Sequence, residues 1–65
     1  MYNKDDILRV EISGVDMIVH YVRGDEKYVT LTSDPYNERR ERMYKISDVI
    51  VKGCWPAEGA VSLEL

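Results

Sequence analysis

The sequence predicts a mainly β protein, a small five-stranded antiparallel barrel with a short N-terminal turn or helix. Short runs in which apolar and polar residues alternate follow one another at near-regular spacing. Such alternation with a period of two is typical of half-buried strands. Glycine, aspartate and proline separate the runs, as expected of tight turns. With 65 residues, the chain has room for one domain, residues 1–65, and for no second core.

The N-terminal part of the chain predicts a turn followed by the first strand. Residues 3–6 are polar and indicate a capped turn or a very short helix. Residues 7–13 then alternate, which predicts a strand with one buried face. The residues expected on that buried face are Leu8, Val10 and Ile12.

The next two strands are predicted to form a hairpin. Residues 17–23 and 28–32 are rich in β-branched and aromatic side chains. The polar loop between them, residues 24–27, begins with Gly24, which is free to adopt a positive φ.

The stretch from Arg39 to Val51 joins the densest charge cluster to the most apolar run, and two interpretations compete for it. A helix is supported by Asp34 and Pro35, which suit an N-cap and a first helical position. Its apolar stripe is poor, however, because arginines interrupt it. We therefore favour a strand that begins at about Arg42, with residues 35–40 as a loop or a single helical turn.

The C-terminal part predicts further strand structure. Residues 49–51 are all β-branched, which suits a strand covered on both faces. Gly53 is expected to end that run, and residues 55–59 to form a turn. Residues 60–65 alternate again and predict a last strand beside the first one, or an open edge that could recruit another chain.

This order of strands predicts a small barrel of the SH3-like or Sm-like kind. Two patterns then resemble the Sm-like barrel of WYL-type bacterial and phage regulators. They are Val19-x-Tyr21-x-x-Gly24 and Arg42-x-Tyr44-x-Ile46-x-x-Val49. The match runs from Val19 to Val51, and the Trp-Tyr-Leu strand that names the family is absent from it. The resemblance implies a regulatory module that binds a ligand or a protein, with Arg42 as an anion contact.

Composition limits the classes of partner and compartment. Twelve acidic residues against nine basic ones give a net charge of −3, which disfavours general binding to nucleic acid without excluding it. The single cysteine, Cys54, fits a reducing compartment. The N-terminal residues are unlike a secretory signal, and no apolar run approaches the roughly 18 residues of a membrane span. We expect a cytoplasmic protein without membrane contact.

Catalytic chemistry is not predicted. Cys54 and His20 are the only residues of their types, and their spacing gives no reason to expect a nucleophile and its base. The acidic pairs are adjacent in turns and lack the spacing of metal ligands. The sequence therefore predicts no enzyme, no catalytic residue, no metal and no cofactor.

A second apolar face provides the main functional prediction. If Val19 and Tyr21 point into the core, their neighbours on the second strand point outward. The outward residues expected to bind a partner are Ile18, Val22, Tyr28 and Trp55. Apolar area of this kind predicts contact with another protein, either a twin subunit or a host target, although the N-terminal turn could equally cover it.

Two functions follow from these observations. The first is a non-catalytic protein–protein interaction module, which by its size would suit an inhibitor or accessory regulator from a phage or mobile element. The second is an Sm-like transcriptional regulator that binds nucleic acid or a small ligand. Its anion contacts would be Arg39, Arg40, Arg42 and Tyr44. Glu38 and Glu41 are interleaved with these arginines, so a segment that pairs with itself is the simpler interpretation.

Overall fold

In the computed structural model, which describes residues 2–57, five strands form one antiparallel sheet. The strands are β1 (Ile7–Ile12), β2 (Val15–Gly24), β3 (Tyr28–Thr32), β4 (Glu41–Lys45) and β5 (Val49–Trp55). Their order across the sheet is β4-β3-β2-β1-β5. The predicted mainly β, antiparallel class is confirmed. Within residues 2–57 no ladder joins β4 to β5, so the sheet is not closed into a barrel.

The core lies on one face of the three central strands. Its largest fully buried side chains are Leu8, Val10 and Leu31. The ring of Tyr2 packs against Tyr21, with 5.7 Å between the ring centroids. The buried apolar residues, Leu8, Val10, Ile12, Val19, Tyr21 and Leu31, include every residue predicted for the inward face of β1.

The N-terminal residues form the predicted turn. The backbone N–H of Asp6 donates to the carbonyl of Asn3 at 3.1 Å. The N–H of Asn3 donates in return to the Asp6 carboxylate at 2.8 Å. Two backbone hydrogen bonds then join the turn to β2, from Asp5 to Tyr21 at 2.8 Å and from Tyr21 to Asp6 at 2.9 Å. These bonds fix the turn, which directly precedes β1, against β2 at Tyr21.

The predicted hairpin between β2 and β3 is confirmed, but its turn does not use the conformational freedom of Gly24. Gly24 does not adopt a positive φ, since Gly14 is the only glycine with one among the described residues. A Cβ atom on Gly24 would instead lie 2.8 Å from the Tyr21 hydroxyl. Glycine is therefore required here for close approach. The turn itself is made by Asp25, whose carboxylate accepts hydrogen bonds from the N–H groups of Lys27 and Tyr28, both at 2.8 Å.

The central stretch is a strand, as we favoured. β4 begins at Glu41, and one 3-10 turn, Glu38–Arg40, precedes it. The Asn37 side chain caps that turn by accepting a hydrogen bond from the N–H of Arg39 at 3.0 Å. The pairing of β4 with β3 ends any helical continuation, because the strand hydrogen bonds replace those of a helix.

Two predictions for the C-terminal part are wrong. Residues 49–51 are not covered on both faces, because β5 is an outer strand and Ile50 is 55% exposed. Gly53 does not end the run, which continues to Trp55. The absence of a side chain at Gly53 makes room for the Trp55 indole, whose nearest atom would lie 3.0 Å from an added Cβ. Since β5 continues to Trp55, this residue is not part of the turn predicted at residues 55–59. Residues 58–59 of that turn and the strand predicted at 60–65 lie outside the described residues.

Candidate binding surfaces

The outer face of β2, β1 and β5 is arranged in rows that cross the three strands. One row places His20 beside Ile7 and Ile7 beside Trp55. In the next row, Ile18 lies beside Arg9. Side chains directly opposite on antiparallel strands contact one another, so these rows decide which apolar groups meet. Ile18 is therefore separated from β5 by a charged side chain.

The four residues predicted to bind a partner do not form one continuous patch. Ile18 lies in the interior strand β2 and is 57% exposed. Val22 occupies a bulge in β2, where the pairing with β3 shifts by one residue. Tyr28 begins β3 beside Lys45, and Trp55 ends the outer strand β5. The structure leaves all four at least partly exposed but distributes them over three strands.

Ion pairs divide this outer face. Lys52 Nζ lies 2.8 Å from Glu11 Oε1 and 3.0 Å from Asp16 Oδ1. Arg9 is 3.8 Å from the same Asp16 carboxylate. Hydrogen bonds to the carboxylates of Glu11 and Asp16 raise the pKa of Lys52. The charged group crosses β5, β1 and β2, so the outer face is not the single apolar surface that the alternation predicted.

The two edge strands of the described sheet, β4 and β5, differ in composition. β4 has five residues, of which Glu41, Arg42 and Lys45 are charged. β5 has seven residues, and Lys52 is its one charged side chain. Charged residues and short length are the usual protection of an outer strand against pairing with other chains. Among the described strands, β5 is therefore the less protected edge.

A groove on the opposite, core-bearing face holds part of the predicted basic cluster. Arg40 and Arg42 line it together with Tyr44, and the cavity has a volume of about 180 Å³. Its apolar lining comes from Met17, Val19 and Leu31. Arg39 is not among the lining residues. The structure thus brings together three of the four predicted anion contacts.

The expected self-pairing of the basic segment is wrong for Glu41. Its carboxylate lies 3.4 Å from the guanidinium of Arg23 on β2 rather than pairing within its own segment. Among residues 2–57, no ion pair includes Arg39, Arg40 or Arg42. The interleaved acids therefore do not neutralise these arginines by direct contact in the part of the chain described.

His20 and Cys54 lie apart. His20 shares its row with Ile7, whereas Cys54 is paired with the next residue of β1, Leu8. Successive residues of a strand point to opposite faces, so the imidazole and the thiol are on opposite sides of the sheet. The ring of His20 instead has Nδ1 3.3 Å from the carbonyl oxygen of Asp5.

Two kinds of feature were sought in the described part of the chain, a cluster of metal ligands and a membrane-spanning helix. Over residues 2–57, no group of three or more potential side-chain ligands is positioned to hold a metal ion. No helix in that range is long and apolar enough to cross a membrane.

Comparisons with protein-family models, curated proteins and solved structures find no significant match. The resemblance to WYL-type regulators and the Sm-like or SH3-like assignment therefore stay predictions. What the structure adds is the location of the candidate surfaces.

The sequence pattern did not indicate three contributors to these surfaces, two on β5 and one in the groove. Ile50 and Val51 were placed in a covered strand, yet both are exposed on the outer strand β5. Met17 was read only as the start of a strand, and it lines the groove beside the arginines. The low charge of residues 49–55 was the available signal for Ile50 and Val51. The alternation gave no signal that Met17 would line the groove.

Proposed function

We propose that this chain is a non-catalytic protein-binding module that pairs with an extended segment of another polypeptide along the edge of β5 that no strand of residues 2–57 covers. The observation that carries the proposal is an outer strand of seven residues with one charged side chain. Within residues 2–57 only β1 pairs with it, so its other side has no described strand partner.

Strand addition uses the two features that β5 offers. The backbone N–H and C=O groups on the free side supply affinity, because each gains a partner when a new strand is added. Exposed side chains supply specificity through contacts on the two faces of the enlarged sheet. On β5 the exposed large apolar side chains are Ile50, Val51 and Trp55.

The setting we propose is a cytoplasmic accessory regulator or inhibitor that acts on a larger protein. A reducing compartment agrees with Cys54, which is a free and exposed thiol. A second copy of the chain is the alternative occupant of the β5 edge. Light scattering over a range of protein concentrations separates these two versions.

Two isoleucines allow a matched test. Ile50 and Ile18 are 55% and 57% exposed, but Ile50 lies in the outer strand and Ile18 in the interior of the sheet. The full chain is used to select binders from a displayed library of short random peptides. The affinities of the selected peptides are then measured for the Ile50→Lys and Ile18→Lys variants.

We expect selected peptides to bind the Ile18→Lys variant as well as the unaltered chain and the Ile50→Lys variant about tenfold more weakly, the loss expected of a disrupted contact centre. Amide hydrogen exchange should show new protection in β5 when a peptide is bound. A loss confined to Ile18→Lys would place binding over β2, away from the β5 edge, and refute strand addition. Absence of any enriched peptide would refute the binding function itself.

The second candidate function is an Sm-like regulator that binds nucleic acid or a small anionic ligand. It is favoured by one observation, that Arg40, Arg42 and Tyr44 line the same groove. Reversal of both arginine charges should abolish any salt-sensitive gel shift of single-stranded RNA. An unchanged shift would remove the nucleic-acid version.

A further inference from the structure

The groove that contains the arginines has an apolar floor continuous with the core. Leu31 is 1% exposed and Val19 is also buried, and both line the groove. Met17 and Tyr44 are partly buried and pack against the core. A ligand in this groove would therefore meet buried apolar side chains.

The same groove is also lined by two arginines. Arg42 pairs with Leu31 across β3 and β4, which places the arginine on the core-bearing face of the sheet. Arg40 reaches the same groove from the 3-10 turn before β4. The lining residues include no aspartate or glutamate. Positive charge at an apolar cavity is favourable to an anion, because both guanidinium groups are donors without acceptor capacity.

We propose that this groove binds a carboxylate carried on a small apolar body, either an aromatic ring or a branched aliphatic chain. This inference is independent of strand addition at β5, and it deepens the second candidate function by naming the ligand class. The forked donors of Arg40 and Arg42 match the two oxygens of a carboxylate. The apolar body lies against Val19 and Leu31.

The size of the groove supports a single small group rather than a polymer. Its volume is about 180 Å³, and an apolar cavity of roughly 150 Å³ is known to hold one benzene molecule. Tyr44 is partly buried against the core, so its ring is not a free platform for successive bases. Arg39 lies outside the groove and contributes nothing to its lining.

The test is a titration of the full chain followed by nuclear magnetic resonance. The probes are benzoate and N-acetyl-leucine, and benzamide and N-acetyl-leucinamide are their uncharged counterparts. We expect saturable shifts of the Val19 and Leu31 methyl resonances with both acids. Each amide lacks the charge that strengthens hydrogen bonds to the arginines, so it should bind at least about tenfold more weakly than its acid.

Three arginine variants provide the residue-level test. Arg40→Gln and Arg42→Gln should each weaken acid binding about tenfold, as expected from loss of one charged hydrogen-bond donor. Arg39→Gln is the matched control, since it removes a neighbouring charge outside the groove. If Arg42→Gln fails to fold, the comparison of Arg40 with Arg39 and of each acid with its amide still decides the matter.

The two probes also distinguish the source of the carboxylate. Tighter binding of benzoate indicates a free aromatic acid, and tighter binding of N-acetyl-leucine indicates the C-terminal residue of a polypeptide. Equal shifts with acids and amides, or equal losses in Arg39→Gln and Arg40→Gln, would overturn the proposal. So would an absence of saturable shifts. Binding of single-stranded RNA without binding of either acid would refute this ligand class while leaving the second candidate function intact.

Discussion

The carboxylate of Asp6 accepts a hydrogen bond from the backbone N–H of Ala57 at 3.3 Å, although 51 positions separate the two residues. The other oxygen of the same carboxylate accepts from the N–H of Asn3 at 2.8 Å. Asp6 is buried, at 5% exposure. One side chain thus joins the N-terminal turn to the residues that follow β5.

Replacement of Asp6 by alanine should destabilise the fold. Two backbone N–H groups would lose their acceptor, and we expect a loss of about 2 kcal/mol in the free energy of unfolding. Chemical denaturation followed by circular dichroism measures this difference. Lys4→Ala, in the same turn but exposed, is the control and should change stability by less than about 0.5 kcal/mol. Equal effects of the two substitutions would contradict the role assigned to Asp6.

A side chain at Gly53 should displace the indole of Trp55. An added Cβ would lie 3.0 Å from the indole ring, so Gly53→Ala requires the ring to move. The ring is the end of a partly exposed side chain and can rotate outward at modest cost. We expect red-shifted tryptophan emission and easier quenching by iodide. Gly14→Asn is a control at a position with open space and a positive φ, and it should leave the emission unchanged.

The hairpin at Asp25 should weaken in acid. Hydrogen bonds from the backbone N–H groups of Tyr28 and Lys27 lower the pKa of the Asp25 carboxyl below its ordinary value of 3.8. A lowered pKa in the folded state means that the stabilisation is present above pH 3.8 and is lost as the pH falls through the folded value. Denaturation from pH 6 to about pH 2 should therefore show a smaller gap between the unaltered chain and Asp25→Asn as acidity increases. Glu26→Gln should show no comparable convergence.

The ion pairs of Lys52 should be lost in alkali. Hydrogen bonds to Glu11 and Asp16 raise the pKa of Lys52 above its ordinary value of 10.5. A raised pKa in the folded state means that the stabilisation is complete below pH 10.5 and declines as the pH rises through the folded value. The stability difference between the unaltered chain and Lys52→Met should therefore shrink at high pH. A difference that stays constant up to about pH 12 would argue against the ion pairs.

The interior strands were predictable because burial imposes a strict pattern on them. Leu8, Val10 and Ile12 alternate without interruption, and β1 has strand neighbours on both sides. Each inward position is therefore apolar. The strand that we favoured from about Arg42 is confirmed up to Lys45, and the arginines that interrupt the helical stripe were the signal for it. Ile46 instead begins a short 3-10 turn.

The outer face was less predictable because register decides which side chains meet. Ile18 is opposite Arg9 in the sheet, and nothing in either local pattern specifies that pairing. Bulges at Val22 and Lys52 shift the register by one residue in two ladders. A glycine inside an apolar run indicates a break. At Gly53 the glycine instead leaves room for the Trp55 ring, and the local pattern does not show that contact. The groove likewise depends on the pairing of Leu31 with Arg42.

The sparse charge of β5 has a cost that concerns the behaviour of the free protein. An edge strand with little charge can pair with copies of itself as well as with a cognate segment, and repeated pairing leads to insoluble stacks. Lys52 lies at the bulge in this strand and is its only charged residue, so it alone opposes such pairing by charge. The same seven residues that would bind a target therefore also limit the concentration at which the unbound chain stays monomeric.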